Sequence, residues 1–474
     1  MLNSFSVKIS KVLLASAIGL MVFQSCNNIP KVVTKKVTLD SVEKKMVSSI
    51  FDEVLLHGEA YDKLGELCLN IGNRLSGSVQ AQKAVEWSKK VMEDYGFDSV
   101  YLQPVMVPHW ERGPAESAKI VGDAKPLTVL AIGGSEPTPK TGITAEVIQV
   151  FSLDEVRDLS AEAVKGKIVF FNRPFDQTVI GTGAGYSGAV DQRVYGPSVA
   201  AEKGAVAVVI RSIASAFDDT PHTGTLVYDD AQPRIPAGAL GVKSAMRLAK
   251  ALEKNPNTKV SLTINSQWFE DAPSFNVIGE IWGSENKNNI LTVGGHLDSW
   301  DVGHGAHDDG SGCVQSIEVL RALKVIGYKP KNTMRAVMFM NEENGGKGGL
   351  EYNRVAMEKG ENHLFALESD AGGFSPRGFG ATAAEEQIEK FQAYLPLFDP
   401  NTIAFIRAGG GGADIHYLYD SMKVPVMGLN TDNQKYFDYH HTSLDTYDKV
   451  NRRELHLGAA SMAAMMYLVD KNGN

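Results

Sequence analysis

At 474 residues the chain exceeds what one ordinary hydrophobic core holds, so two domains are the expectation. Hydrophobic residues at 43% and charged residues at 22% describe a globular composition, not a disordered or fibrous one. The formal net charge of −9 comes with no basic stripe to meet phosphates, which excludes nucleic acid as a partner and leaves the acidity as a solvated surface.

In chain order, the first 26 residues are not fold. Lys8 and Lys11 make a positive start, and Val12–Phe23 is apolar but too short to span a bilayer. Ser25-Cys26 and two asparagines follow, which resembles a bacterial lipoprotein signal and predicts a lipid anchor on Cys26 in the cell envelope. A simple secretory peptide with a chance cysteine is the alternative, and export follows from either. Beyond it only Cys68 and Cys313 remain, so no disulfide framework is expected, and both read as buried thiols. Residues 27–39 read as a tether.

From residue 40 the apolar spacing is helical through Met46, Ile50 and Val54, and again over Asp62–Ile71 and Ala81–Tyr95. Asn73-Arg-Leu-Ser-Gly-Ser reads as the turn and cap between the last two. Val100–Val107 alternates as a strand, and His109, Trp110 and Glu111 read as a structural corner. Over 118–270 short strands and turns predominate, at Thr128–Ile132, Ile143–Val150, Lys167–Phe171 and Val206–Ile210, with helices at Pro197–Lys203 and within Pro236–Leu252. GPSVAAEKGAVAVVI and IPAGALGVKSAMRLAKAL resemble the protease-associated domain. This β-rich insertion carries no dense cluster of ligand-type residues, so it reads as a lid or a substrate-side wall, and His222 as part of a surface loop.

After Pro273 strands and helices alternate regularly, with strands at Phe275–Trp282, Ile290–Gly294, Thr333–Met340, Leu364–Leu367 and Val424–Leu429. Polar clusters follow three of them. Ile290–Cys313 reads ILTVGGHLDSWDVGHGAHDDGSGC, a buried strand running into His296, Asp298, Asp301, His304, His307, Asp308 and Asp309. Asn341-Glu342-Glu343-Asn344-Gly345 follows the next strand and Glu368-Ser369-Asp370 the one after. Open α/β sheets bind ligands at the carboxyl ends of their strands, so these clusters should converge. So many carboxylates beside a buried strand repel one another unless cations neutralise them, and imidazole with carboxylate suits zinc. Tyr439-His440-His441-Thr442-Ser443-Leu444-Asp445 supplies a second imidazole.

HLDSWDVGHGAHDDGSG, NEENG, LESDAGG and HHTSLDT, in that order, resemble the co-catalytic zinc aminopeptidases, in particular the carboxypeptidase Q-like type that carries a protease-associated insertion. The likeness covers nearly all of the chain after the signal. It implies a three-layer α/β/α sandwich with a mostly parallel central sheet, formed by residues 40–117 and 271–474 around the insertion. It implies two zinc ions held by His296, Asp308, Glu343, Asp370 and His441, with Asp308 bridging, His296 and Asp370 on one side, and Glu343 and His441 on the other. Glu342 matches the general base for attack by metal-bound hydroxide, and Asp298 the carboxylate behind His296, placed two residues on to accept its second N–H. A cis peptide between Asp308 and Asp309 is implied as well. His304 and His307 are loop positions, Asp301 and Asp309 structural. His440 is a candidate for polarising the substrate carbonyl, and Gly411, Gly412 and Asp414 for a substrate-side loop. The expected substrates are short peptides or dipeptides, and relatives that dimerise imply a homodimer. Two alternatives share the scaffold: a one-zinc glutaminyl cyclase, which should keep fewer ligand-type residues, and a receptor-like binding module, which should have lost them.

Overall fold

The computed structural model describes residues 41–473, so the signal, Cys26 and the tether lie outside the described residues. Among these no helix is long and apolar enough to cross a membrane. The first eight strands in chain order are β1 (Ser99–Glu111), β2 (Ser117–Ile120), β3 (Val129–Ala131), β4 (Ile143–Val150), β5 (Ile168–Phe171), β6 (Ala207–Arg211), β7 (Ala237–Leu240) and β8 (Lys259–Thr263). The other seven are β9 (Gln267–Ile281), β10 (Asn286–His296), β11 (Asn332–Phe339), β12 (Asn362–Glu368), β13 (Pro376–Thr382), β14 (Phe405–Ala408) and β15 (Val426–Thr431). They form an eight-stranded sheet ordered β1-β9-β11-β10-β12-β15-β13-β14 and a seven-stranded sheet ordered β2-β8-β4-β5-β6-β7-β3.

The larger sheet is the middle of a three-layer sandwich, and its strands show why. On β11, Ala336 and Met338 join one apolar cluster while Val337 and Phe339 join another. On β12, Phe365 and Leu367 face the first cluster and Ala366 the second; on β15, Met427 and Leu429 divide from Val426 in the same way. Side chains alternate across a strand, so a run buried at every position needs a cover on both faces. Helices Val79–Asp94, Ser311–Val325 and Arg452–Asn472 cover the first face. Lys347–Lys359 and His416–Met422 cover the second. The expected α/β/α architecture is therefore present.

The four central strands, β11, β10, β12 and β15, run parallel. β9 pairs antiparallel with β11 and with β1. The long β1–β9 ribbon leads the chain out to the second sheet and back. It also corrects the expected corner at His109–Glu111, which is strand to Glu111, with an irregularity in register between Val107 and His109. Trp110 there is buried, its indole N–H donating to the Ser135 carbonyl. Strand β13 and the edge strand β14 escaped the sequence reading because PRGFGAT, which is β13, is too rich in glycine to look like a strand, and β14 is only four residues long. Glycine is needed at Gly378, where a Cβ would stand 2.5 Å from the Phe405 carbonyl oxygen.

Candidate metal centre

Because β10, β11 and β12 are parallel neighbours, the three clusters emerge from one edge of the sheet. His296 closes β10 opposite Phe339, and Asp370 lies just beyond the end of β12. His296 Nε2 stands 3.3 Å from Asp308 Oδ1 and 3.6 Å from Asp370 Oδ1. On the other side, His441 Nε2 stands 3.3 Å from Asp308 Oδ2 and 3.1 Å from Glu343 Oε2. The two oxygens of Asp308 thus face two different imidazoles, and all five expected ligand positions come together.

Backbone hydrogen bonds hold Asp308 in place. The Asp445 carboxylate accepts from the amides of His307, at 2.7 Å, and Asp308, at 3.1 Å. The peptide between Asp308 and Asp309 is cis, as the resemblance implied. Asp309 is near enough to His296 and Asp370 to be a donor, but its carboxylate already accepts from the amides of His296 (3.1 Å) and Gly312 (2.9 Å). It is the structural residue expected. Gly295 permits this: a Cβ there would stand 2.4 Å from Asp309 Oδ2. Arg74, fully buried, donates to the carbonyls of Leu297 (2.5 Å), His304 (2.8 Å) and Gly305 (3.0 Å), and so shapes the loop that delivers Asp308. The sequence offered only a polar turn there; a lone arginine between two apolar helices was the available signal. Asp301, structural as expected, takes a bidentate pair from Arg112 at 2.8 Å.

Asp298 requires a correction. His296 Nδ1 meets the main-chain carbonyl of Asp298, at 3.0 Å, rather than its carboxylate. The strand stops at His296, so the same-side rule for residues two apart no longer applies. The Asp298 carboxylate instead accepts the amides of Asn341 (2.6 Å), Glu342 (3.1 Å) and Glu343 (3.4 Å). It holds the turn that separates the two glutamates, begun by Asn341 in the left-handed region at φ +73°. Glu343 turns toward His441 and accepts the amide of Trp300 at 3.2 Å. Glu342 turns toward the other side, 4.0 Å from His296 Nε2, with 26% of its side chain exposed. They diverge through a turn, not through strand alternation.

His440 Nε2 lies 3.6 Å from Asp308 Oδ2, its ring stacked on His441 at 3.5 Å between centroids. Burial, with the neighbouring His441, holds it well below the usual histidine range, so it is neutral. His307 is stacked between Phe374 and Tyr439, and His304 Nδ1 accepts the amide of Tyr447, both as loop positions. Gly411, Gly412 and Asp414 are not among the donors around Asp308. Gly412 lies over Glu368, whose carboxylate carbon would be 2.0 Å from a Cβ, and the amides of Asp414 and Ile415 donate to that carboxylate. The glycine serves this contact. His222, expected in a surface loop, is buried, neither ring nitrogen hydrogen-bonded, and burial brings it down to about 3. It packs beside His440, Tyr186 and Arg193, because the inserted segment folds down onto the site.

The donor set can be tested for its fit to a metal. Among the described residues no lysine or arginine pairs with Asp308, Glu342, Glu343 or Asp370; their partners are histidines. His296 Nε2, Asp308 Oδ2 and Asp370 Oδ1 are buried without a hydrogen bond. Buried charge without a counter-charge is costly, so the cluster must hold cations or protons. Burial and the nearby carboxylates push Glu342 well above the usual range and Glu343 up to about 7. Burial acts upward on Asp308 as well, but the imidazoles of His296, His441 and His440 outweigh it and hold Asp308 well below the usual range. Donors about 2.0–2.2 Å from a tetrahedral zinc stand about 3.3–3.6 Å apart, close to the spacings above. The donor set fits a bound metal such as zinc.

A profile of peptidase family M28 matches residues 276–466. The chain is 36% identical to carboxypeptidase Q of Homo sapiens over 410 residues, covering 86% of this chain and 85% of that protein. The crystal structure of a peptidase M28 precursor from Shewanella amazonensis superposes with a TM-score of 0.86 at 32% identity, over 90% of this chain and 97% of that one. A zinc aminopeptidase from Bacillus subtilis shares the fold at a TM-score of 0.64 and 21% identity, over 86% of this chain and 94% of that one. With identity above one third along most of its length, and the motif residues gathered at one sheet edge, the chain belongs to peptidase family M28.

Proposed function

We propose that the protein is a dinuclear zinc exopeptidase that hydrolyses short peptides, dipeptides foremost. The observation that carries this is Asp308, whose two oxygens each stand 3.3 Å from a different imidazole. His296 and Asp370 would hold one ion with it, Glu343 and His441 the other. Zinc bound by these residues would supply an acidified water molecule and polarise the peptide carbonyl. Glu342, turned to that side and partly open, takes the water proton on its carboxylate and returns it to the leaving amine. Neutral His440 lies where it can donate to the carbonyl oxygen. One relative is named for action at the carboxyl end of a peptide and another for the amino end. A dipeptide is the substrate on which both descriptions meet, because its one peptide bond adjoins both termini.

The test is metal content after gel filtration together with amino-acid release from a dipeptide panel. Two equivalents of zinc and release of both amino acids are expected. One equivalent with cyclisation of N-terminal glutamine would establish the one-zinc reading instead, and absence of metal or turnover would leave only a binding module.

A pH signature follows from the same cluster. Burial opposes a charge on His441, but Glu343 and Asp308 outweigh it and raise it to about 10. Burial, with Asp308, raises Glu343 to about 7. Both groups hold protons in the metal-free fold that the unfolded chain, near 6.5 and 4.3, releases earlier. At these two groups folding therefore takes up protons, and the stability they contribute is lost as pH rises from about 4 through 10. Bound zinc displaces these protons, so its affinity rises with pH over that range. Melting temperatures from pH 5 to pH 10 should fall for the metal-free protein and hold for the loaded one. Parallel curves would refute this.

A further inference from the structure

The two imidazoles are supported differently. Around His296 both supports lie close by in the chain, on the segment that follows β10: its amide donates to Asp309 and its Nδ1 meets the Asp298 carbonyl. His441, at φ +60°, leans instead on the segment that carries the second sheet. Its Nδ1 lies 3.3 Å from the Thr223 carbonyl, and the Thr223 amide donates back to the His441 carbonyl at 3.0 Å. With Nε2 facing Glu343 and Asp308, the ring proton belongs on Nδ1 and the Thr223 carbonyl is its acceptor. Arg193 Nη1 also lies 3.5 Å from Nδ1, but its two protons have shorter contacts, to the Tyr186 hydroxyl and the Thr223 carbonyl.

That carbonyl is itself held. Arg193, buried, donates from Nη1 to Thr223 O at 3.2 Å and to the Tyr186 hydroxyl at 2.8 Å, and from Nε to Thr225 O at 3.2 Å. The Thr223 hydroxyl donates to Ala131 O at 2.9 Å, and Arg112 donates to that hydroxyl at 3.2 Å. Gly224, at φ +128°, lets this backbone approach. A Cβ there would stand 2.3 Å from Arg193 Nη1 and 2.7 Å from His441 Nδ1.

We infer that the inserted segment is part of the cation-binding apparatus: the Thr223–Gly224 backbone, steadied by Arg193, sets the ring of His441. Cation retention on the Glu343–His441 side then depends on this segment, and retention on the His296–Asp370 side does not. Arg193 and Gly224 are positioning residues. The inference rests on the dinuclear reading above.

The test is titration of the metal-free full-length protein with zinc by calorimetry, and with cobalt followed by visible absorption. The wild type should take up two equivalents. In Gly224→Ala and in Arg193→Met one equivalent should bind 10–100-fold more weakly, with the other unchanged. Arg193→Lys, which keeps a donor, should restore part of the loss. Adding Gly224→Ala to His441→Ala should not weaken the remaining equivalent, since the two act on one ligand. Wild-type binding of both equivalents in the two single variants, or equal weakening of both, would overturn the inference and leave the dinuclear reading standing. A single equivalent in the wild type would remove both.

Discussion

Replacing Glu342 by alanine is expected to leave two zinc ions bound and to lower kcat by about 10²–10⁴-fold, the range a general base supplies. The geometry separates it from its neighbour: Glu343 is buried against His441 and the Trp300 amide, whereas Glu342 is the partly open carboxylate on the His296 side. Burial and the charges of Asp370, Glu343 and Asp308 raise its proton affinity well above that of a free glutamate, while His296 opposes them. The backbone of the turn is fixed by Asp298, which the substitution leaves alone. Metal analysis and dipeptide kinetics on one preparation decide the matter. Unimpaired turnover would reject Glu342 as the base, and loss of metal would place it among the ligands.

Asp308→Ala should have the larger effect, taking both cations and all measurable turnover. Among the described residues it is the one carboxylate within 4.0 Å of both imidazoles. Without it, Glu343 and Asp370 are each left with one imidazole and no shared oxygen to fix the separation of the ions. The fold should survive, because the loop is anchored through the amides of His307 and Asp308 on Asp445, and through Arg74 on three carbonyls. Zinc content after dialysis and a circular dichroism spectrum check this. A variant with native spectrum and two retained ions would show that the bridge is dispensable.

How much of this was legible beforehand varied with the distance over which each contact acts. Strands β10, β11, β12 and β15 were visible as apolar runs, and the placement of HLD, NEENG and ESD at their ends followed from the rule for parallel sheets. The antiparallel course of β9 was not visible, because alternation along a strand carries no sign of its partner's direction. The Asp298 carboxylate went to the turn after β11 and not to His296, since where a chain leaves its strand is settled by its neighbours. His222 looked like loop and proved buried, because the surface that covers it belongs to the segment before the terminal helix.

Order and residue type along the chain were enough to determine the peptidase family and the sandwich around a parallel sheet, and to single out the donor-type residues that gather at its edge, because metal coordination and strand burial demand particular side chains at particular positions. Only the tertiary structure decided which atom of Asp298 meets His296, that Arg74 and Asp445 shape the loop carrying Asp308, and that Thr223 supports His441. These are contacts of backbone carbonyls and amides, which every residue carries alike, so nothing in the one-dimensional pattern distinguishes them until the chain has folded.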